Sequence, residues 1–431
     1  MMNKIIIIGG LVLSGFIAQA QKNLDKIINV SEVERIEKVL ASDEMRGRKT
    51  YSPEIDKAAD FIAAEFKKAG LQYFGELKTY RQSFEMVKAK QLSAKGDIEG
   101  IDLPADNFVV VTKQASLKFN EKSGFKIVVI DSAANLFSRV SALLDAKENT
   151  LVLVDPVHSK NFSRLKRIGG RDGFAGKPSI IFAVTNNTNP SKYSFEVENE
   201  ISSSSLTNVI GILPGKSKKD ELVVFSGHYD HLGIGKSTAD GDSVYNGAND
   251  DAAGTTAVMM LANYFAKEKN NERTLVFVAF TAEEIGGFGS QYFSKQIDAD
   301  KTIAMFNIEM IGTESKWGKN SAYITGFEKS DFGKILQGNL SGSQFHFEPD
   351  PYPKQNLFYR SDNATLAALG VPAHTISTSK MDTEKFYHTA DDEIETLDMA
   401  NMTEVIKAIA ISSKGIVSGK ETPARVEKLN R

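Results

Sequence analysis

No cysteine occurs among the 431 residues. Disulfides are therefore excluded, and any metal must be held by imidazole and carboxylate, a donor set that suits zinc in a catalytic site. Histidine is scarce as well, with six in the chain, so where each one falls carries information. An excess of positive charge is missing too. The formal net charge is −3 and no Lys/Arg cluster interrupts it, which argues against a nucleic-acid partner. Beyond the first twenty residues there is no apolar run approaching the roughly 20 residues that a membrane span needs. Internal repeats and low-complexity tracts are absent. What remains, 41% hydrophobic and 25% charged, is an ordinary globular composition. A chain this long calls for one large domain with an insertion or a second domain.

Residues 1–20 read as a signal peptide. Lys4 is their only charge, residues 5–18 are apolar, and Ala18-Gln19-Ala20 offers the small residues of a cleavage site. The expectation is an exported protein, periplasmic or extracellular, free of the membrane once cleaved before Gln21. Residues 21–94 read as the N-terminal part of a catalytic domain. Within them Ser52-Pro53 opens a helix, Ile55, Ala59, Ile62 and Phe66 share a face, and Gly70 ends it. Residues 95–200 read as an inserted α+β domain, with strand-like runs at 126–130, 150–154 and 179–184 and no cluster of acids and histidines. Four serines, Ser202 to Ser205, read as a loop or hinge out of it.

Residues 201–420 are the main catalytic region, and 421–431 a C-terminal tail. Apolar runs at 209–213, 222–225, 274–280 and 302–308 alternate with helical stretches at 252–265, 287–296 and 399–416. Such runs suit strands buried on both faces. The fold class this implies is α/β, a mixed, mostly parallel central sheet flanked by helices.

Five motifs carry the chemistry, four of them beside the end of such a run, where open α/β sheets place their sites. Ser226-Gly227-His228-Tyr229-Asp230 puts Asp230 two positions after His228, so in an extended segment it points the same way and is expected to orient the imidazole. Asn249-Asp250-Asp251 precedes a helix. Asp251 suits an N-cap, which leaves Asp250 free to bridge two cations. Glu283 and Glu284 follow a strand with no polar residue between Leu275 and Phe280. Two acids there need compensating cations, and the chemistry asks for one bound acid and one free to move a proton. Glu309 repeats the design after the next strand. His388 opens an acidic turn, Thr389-Ala390-Asp391-Asp392. His231 reads either as a support behind the ligands or, the preferred reading, as solvent-facing.

With these motifs in their order and spacing, residues 208–392 resemble the two-zinc aminopeptidase family, whose relatives include glutamate carboxypeptidase and the single-zinc glutaminyl cyclases. The segment Leu40-Ala41-Ser42-Asp43-Glu44-Met45-Arg46-Gly47-Arg48 is similar to the N-terminal part of secreted bacterial members. The resemblance implies two Zn2+ ions: His228 on one, Glu284 on the other, Asp250 bridging, Glu309 and His388 completing the set, and Glu283 as general base. It also implies supporting roles for Asp230 and Asp251, a cis peptide between Asp250 and Asp251, and in many members an inserted protease-associated domain. Tyr359 is the expected oxyanion donor. Two positions depart from the family pattern. Glu309 stands where aspartate is usual, and Asn363 where histidine is usual in Ser361-Asp362-Asn363.

The activity implied is hydrolysis of a peptide substrate from a free N-terminus. A carboxypeptidase or dipeptidase on the same scaffold would need a basic pocket for a carboxylate, for which Arg360 and Lys380 flank the late motifs. A cyclase would hold one zinc. A metal-containing binding protein would release no amino acids.

Overall fold

The computed structural model describes residues 23–429 apart from 145 and 240. The leader read in residues 1–20 lies outside them. The chain divides into two compact units, one built from Met1–Ser83 with Leu206–Leu429 and the other from Phe84–Ser205.

The first unit begins with helices α1 (Val30–Leu40) and α2 (Pro53–Ala69). Helix α2 starts as its sequence prescribes. The Ser52 hydroxyl accepts from Ile55 N, Pro53 takes the first turn, and Gly70 closes the end at φ 79°. Seven strands follow: β1 (Tyr193–Leu213, whose last residues lie here), β2 (Lys218–His228), β3 (Arg273–Phe280), β4 (Thr302–Ile308), β5 (Ser321–Ile324), β6 (His346–Pro349) and β7 (Ala373–Ser377). Their order is β6-β5-β7-β4-β2-β3-β1. The centre, β7-β4-β2-β3, is parallel, while β1 and β5 run antiparallel to their neighbours β3 and β7.

Helices α3 (Ala253–Glu268) and α5 (Met399–Ser412) join α1 and α2 over one face, and α4 (Phe288–Phe293) lies on the other. Alternation along a strand therefore feeds two cores. Val223 and Phe225 enter one, and Val224 enters the other. Both faces are dry, so the strands read as unbroken apolar runs. Register aligns Phe277, Phe225 and Phe306 on three adjacent strands, with ring centroids 5.4 and 4.8 Å apart. The tail expected after residue 420 is packed rather than free. Val426 is buried in the second core, and Arg425 Nη1 donates to Thr302 O at 2.7 Å.

The second unit holds a four-stranded sheet in the order Phe108–Val111, Ile180–Val184, Thr150–Val154, Lys126–Ile130. Leu151, Leu153 and Ile181 pack on one side with Phe119, which stacks on Phe195 at 5.1 Å. Ile130, Val140 and Val152 pack on the other. Ser202 to Ser205 form no loop: β1 runs through them, because hydroxyl side chains do not bar an extended ladder. The two ends of this excursion are adjacent, with the Ser83 and Thr207 hydroxyls 2.9 Å apart in the first unit.

Candidate metal centre

The parallel strands end at one edge, and the chain turns sharply there. Ala282, Met310 and His388, none of them glycine, adopt φ of 60°, 53° and 58°. Left-handed backbone is uncommon for such residues. It lets the chain reverse immediately beside Glu283 and Glu309, so their carboxylates stay at the sheet edge.

Five acids and histidines named from the sequence converge there. His228 Nε2 lies 3.2 Å from Asp250 Oδ1. His388 Nε2 lies 3.3 Å from Asp250 Oδ2 and 3.1 Å from Glu284 Oε2. Donor atoms of His228, Asp250 and Glu309 sit within 4.8 Å of one another, and so do those of His231, Asp250 and Glu284. Asp250 belongs to both groups. The Asp250–Asp251 peptide is cis.

His228 Nε2, both His231 nitrogens, Asp250 Oδ2, Glu284 Oε1, Glu309 Oε2 and His388 Nε2 are buried without a properly angled hydrogen bond. His231 Nδ1 and Glu284 Oε1 approach to 2.8 Å without one. The atoms are near each other but aimed past each other, as donors facing a shared cation are. Buried orphans of this kind each cost about 1–3 kcal/mol. Imidazole and carboxylate without thiolate match zinc's chemistry, so the residues fit the metal that the resemblance implies.

The surrounding residues hold this geometry from behind. Asp251 accepts from Gly254 N at 3.0 Å and from Met310 N and His228 N at 3.1 Å, tying helix α3 to the ends of β4 and β2. The N-cap position itself falls to Ala252, not to Asp251 as its place in the sequence suggested; Asp251 serves instead as a knot between the three elements. The Asp392 carboxylate grips the backbone of Asn249 and Asp250 at 2.8 and 3.0 Å.

Asp230 corrects the sequence reading. His228 Nδ1 bonds the Asp230 backbone carbonyl at 3.1 Å, and the carboxylate stands 3.8 Å off. The carboxylate is engaged instead by Glu283 N at 3.0 Å, Glu284 N at 3.3 Å and the Thr50 hydroxyl at 3.1 Å. It presents the two glutamates rather than the imidazole. The unpaired N–H groups of the turn after β3 are stronger claimants for an anion than a ring nitrogen already served by a carbonyl.

His231 is buried at the centre, not solvent-facing. Strand β2 ends at His228, so the two-residue alternation that would have turned His231 away stops before reaching it. Gly247, at φ 57°, makes the approach possible, since a Cβ there would lie 2.5 Å from the His231 ring.

Tyr359 is also displaced from its expected role. It packs against the second core beside Phe358, with Lys329 Nζ 6.0 Å from its ring centroid, and it does not line the cleft. The tyrosine at the site is Tyr387, stacked on His388 at 3.8 Å and 19°. Burial first, then the carboxylates of Asp250, Glu284 and Glu309, push its hydroxyl well above the ordinary range, so it stays a neutral donor. Glu283 lines the same cleft. Burial, reinforced by Glu309, Asp362 and Glu284 and opposed by His228, raises its carboxyl well above the usual range.

A third contribution comes from a loop with no chemistry of its own. Arg46, Gly47 and Arg48 run through φ of 44°, 68° and 45°. Buried Arg48 donates Nε to Tyr229 O at 2.9 Å, Nη1 to Leu40 O at 2.8 Å and to Asn246 O, and Nη2 to Gly247 O at 2.9 Å. Arg48 O in turn accepts from His231 N at 3.2 Å. One side chain thus fastens the His228 segment to the loop leading into Asp250.

An open α/β sheet with carboxylates and imidazoles gathered beyond its parallel strand ends defines the class, an α/β fold with a candidate metal site. Residues 208–412 match the family model for Peptidase family M28. The chain is similar to Aminopeptidase YwaD of Bacillus subtilis, 22% identical over 229 residues, 51% of this chain and 47% of that one. A probable leucine aminopeptidase of Trichophyton verrucosum is 29% identical over 214 residues, 47% of this chain and 54% of that one. The chain thus spans about half the length of these relatives. Among solved structures, an aminopeptidase from Aneurinibacillus sp. strain AM-1 superposes with a TM-score of 0.54 at 18% identity, covering 94% of this chain and 97% of that one. The zinc aminopeptidase BSAP of Bacillus subtilis gives 0.55 at 14%, covering 94% and 99%. These likenesses establish the fold.

Proposed function

We propose that the chain is a zinc-dependent aminopeptidase with two zinc ions, acting on peptides with a free N-terminus. One observation carries the reading: buried imidazole and carboxylate atoms in two groups share Asp250 and point past one another. The family match over residues 208–412 and the names of the relatives support the substrate class. His228, Asp250 and Glu309 would hold one ion. Asp250, Glu284 and His388, joined by His231, would hold the other. Bound zinc supplies Lewis-acid polarisation of a carbonyl and a water of lowered pKa.

The chain's own residues do the rest. Glu283 takes the proton of the attacking water at its carboxylate and returns it to the leaving amine. Its raised carboxyl suits both halves of that task. Asp230 keeps Glu283 in place through its backbone N–H. The Tyr387 hydroxyl donates to the oxyanion that develops at the carbonyl oxygen. The charged, apolar leader of residues 1–20 supports export as the setting.

The test is Glu283→Gln. Removing a general base typically costs about 10²–10⁴-fold in rate. Release of 4-nitroaniline from aminoacyl anilides should fall by that factor while elemental analysis still finds two zinc ions per chain. Full activity in the variant would refute the assignment. So would a wild-type protein whose release of amino acids is indifferent to chelator.

A further inference from the structure

The cleft that holds Asp250, Glu283 and Glu309 continues into a small recess, the whole enclosing about 70 Å³. Its walls are of two kinds. Met310, Leu357 and Met381 are apolar, and Thr325, Thr375 and Ser377 present hydroxyls from buried positions. Arg360 completes the lining.

Arg360 is the unusual member. Its backbone N–H bonds Leu357 O, but its guanidinium has no hydrogen bond or ion pair with any described residue. Two other cations of this region are engaged. Lys380 Nζ pairs with Glu314 at 3.0 Å, and Lys329 Nζ sits 5.5 Å from the Phe358 ring centroid. Lys380 thus leaves Arg360 as the one of the two arginine/lysine residues beside the late motifs that is free to meet a ligand.

We infer that the recess binds the side chain of the substrate's N-terminal residue and that Arg360 selects an acidic one, glutamate or aspartate. This rests on the aminopeptidase reading above. A guanidinium forks onto a carboxylate with two parallel hydrogen bonds, among the strongest contacts available to it. An apolar side chain in the same recess would strip water from the charge and give nothing back. A lysine or arginine side chain would meet a like charge. Met310, Leu357 and Met381 suit the methylenes of an acidic residue, while the hydroxyls of Thr325, Thr375 and Ser377 are already engaged within the protein. Thr325 and Thr375 are almost wholly buried.

The experiment compares kcat/KM for glutamyl, glutaminyl and leucyl 4-nitroanilides with wild type and Arg360→Gln. Arg360 is exposed and outside both cores, so the variant is expected to fold. Wild type should prefer glutamyl over the isosteric glutaminyl substrate at least tenfold, as a charged hydrogen bond of about 1.5–3 kcal/mol implies. Arg360→Gln should bring that ratio to about one, with leucyl turnover equal to or above that of wild type and zinc content unchanged. A wild-type ratio of one or less, or one untouched by the substitution, overturns the inference while leucyl hydrolysis leaves the aminopeptidase reading standing. Loss confined to dipeptides such as leucyl-glycine, spared in leucyl-glycinamide, would place the carboxylate at the far end of the substrate and overturn it too. No metal-dependent release from any anilide would remove both readings.

Discussion

His231 and Glu37 show how burial changes what a single side chain does. His231 approaches Glu284 and Asp250 from the interior, and its own N–H is held by Arg48 O. Whether it binds the ion or braces Glu284, its loss loosens the same group. His231→Gln should weaken the second zinc by roughly 10–100-fold, as changes behind a metal ligand do. Competition with a chromophoric chelator measures this, and unchanged affinity would exclude His231 from the centre. Glu37 is fully buried and belongs to neither donor group. Burial, opposed by the Thr256 hydroxyl and Arg48, raises its carboxyl to about 8 from an ordinary 4.5. The fold therefore holds this proton more tightly than the unfolded chain does. Its contribution is complete below pH 4.5 and drains away as pH rises toward 8. Glu37→Gln should match wild type in melting temperature near pH 5 and exceed it at pH 8.5. Parallel curves across that range would show that Glu37 is charged throughout.

At the level of elements, the ends of strands were legible and the loops behind them were not. Uninterrupted apolar runs marked β2, β3 and β4 because both sheet faces are dry. Rare acids and histidines directly after such runs could be read as a site for the same reason: they have no other business there. The partners of Arg48, by contrast, lie 181 and 199 residues away along the chain, which no local pattern records. Tyr359 was named from its position and Tyr387 was not. Packing of the Leu357–Tyr359 turn onto the second core decided between them. The Arg48 loop yields its own prediction. Arg48→Ala leaves several buried carbonyls without donors, each worth about 1–3 kcal/mol. Chemical denaturation should register a loss of about 3 kcal/mol or more. Zinc affinity should fall with it, since both metal-bearing loops lose their common anchor.

Taken as one molecule, the chain places its presumed ions between segments far apart in sequence, from 228 to 388. An ion that binds only the folded chain stabilises all of it by mass action, by about 4 kcal/mol when free metal exceeds the dissociation constant a thousandfold. Chelation should therefore lower the melting temperature of the unit containing Leu206–Leu429, and restored zinc should return it. A melt indifferent to chelator would mean that the donors are held apart by the protein alone. The division into two units was legible only in outline. The absence of acid–histidine clusters set residues 95–200 apart, but the boundary falls at Phe84 and Ser205, inside long strands whose continuity hides it.

The neighbouring hydroxyls of Ser83 and Thr207 give the chain a doorway. The polypeptide leaves and re-enters the first unit at two points whose side chains share a hydrogen bond, so that unit need not stretch or shrink to host whatever lies between. Over generations the intervening 84–205 portion can be lengthened, traded or pared back while the chemistry next door keeps its register. In a protein of this plan, novelty has somewhere to go that does not disturb the reaction.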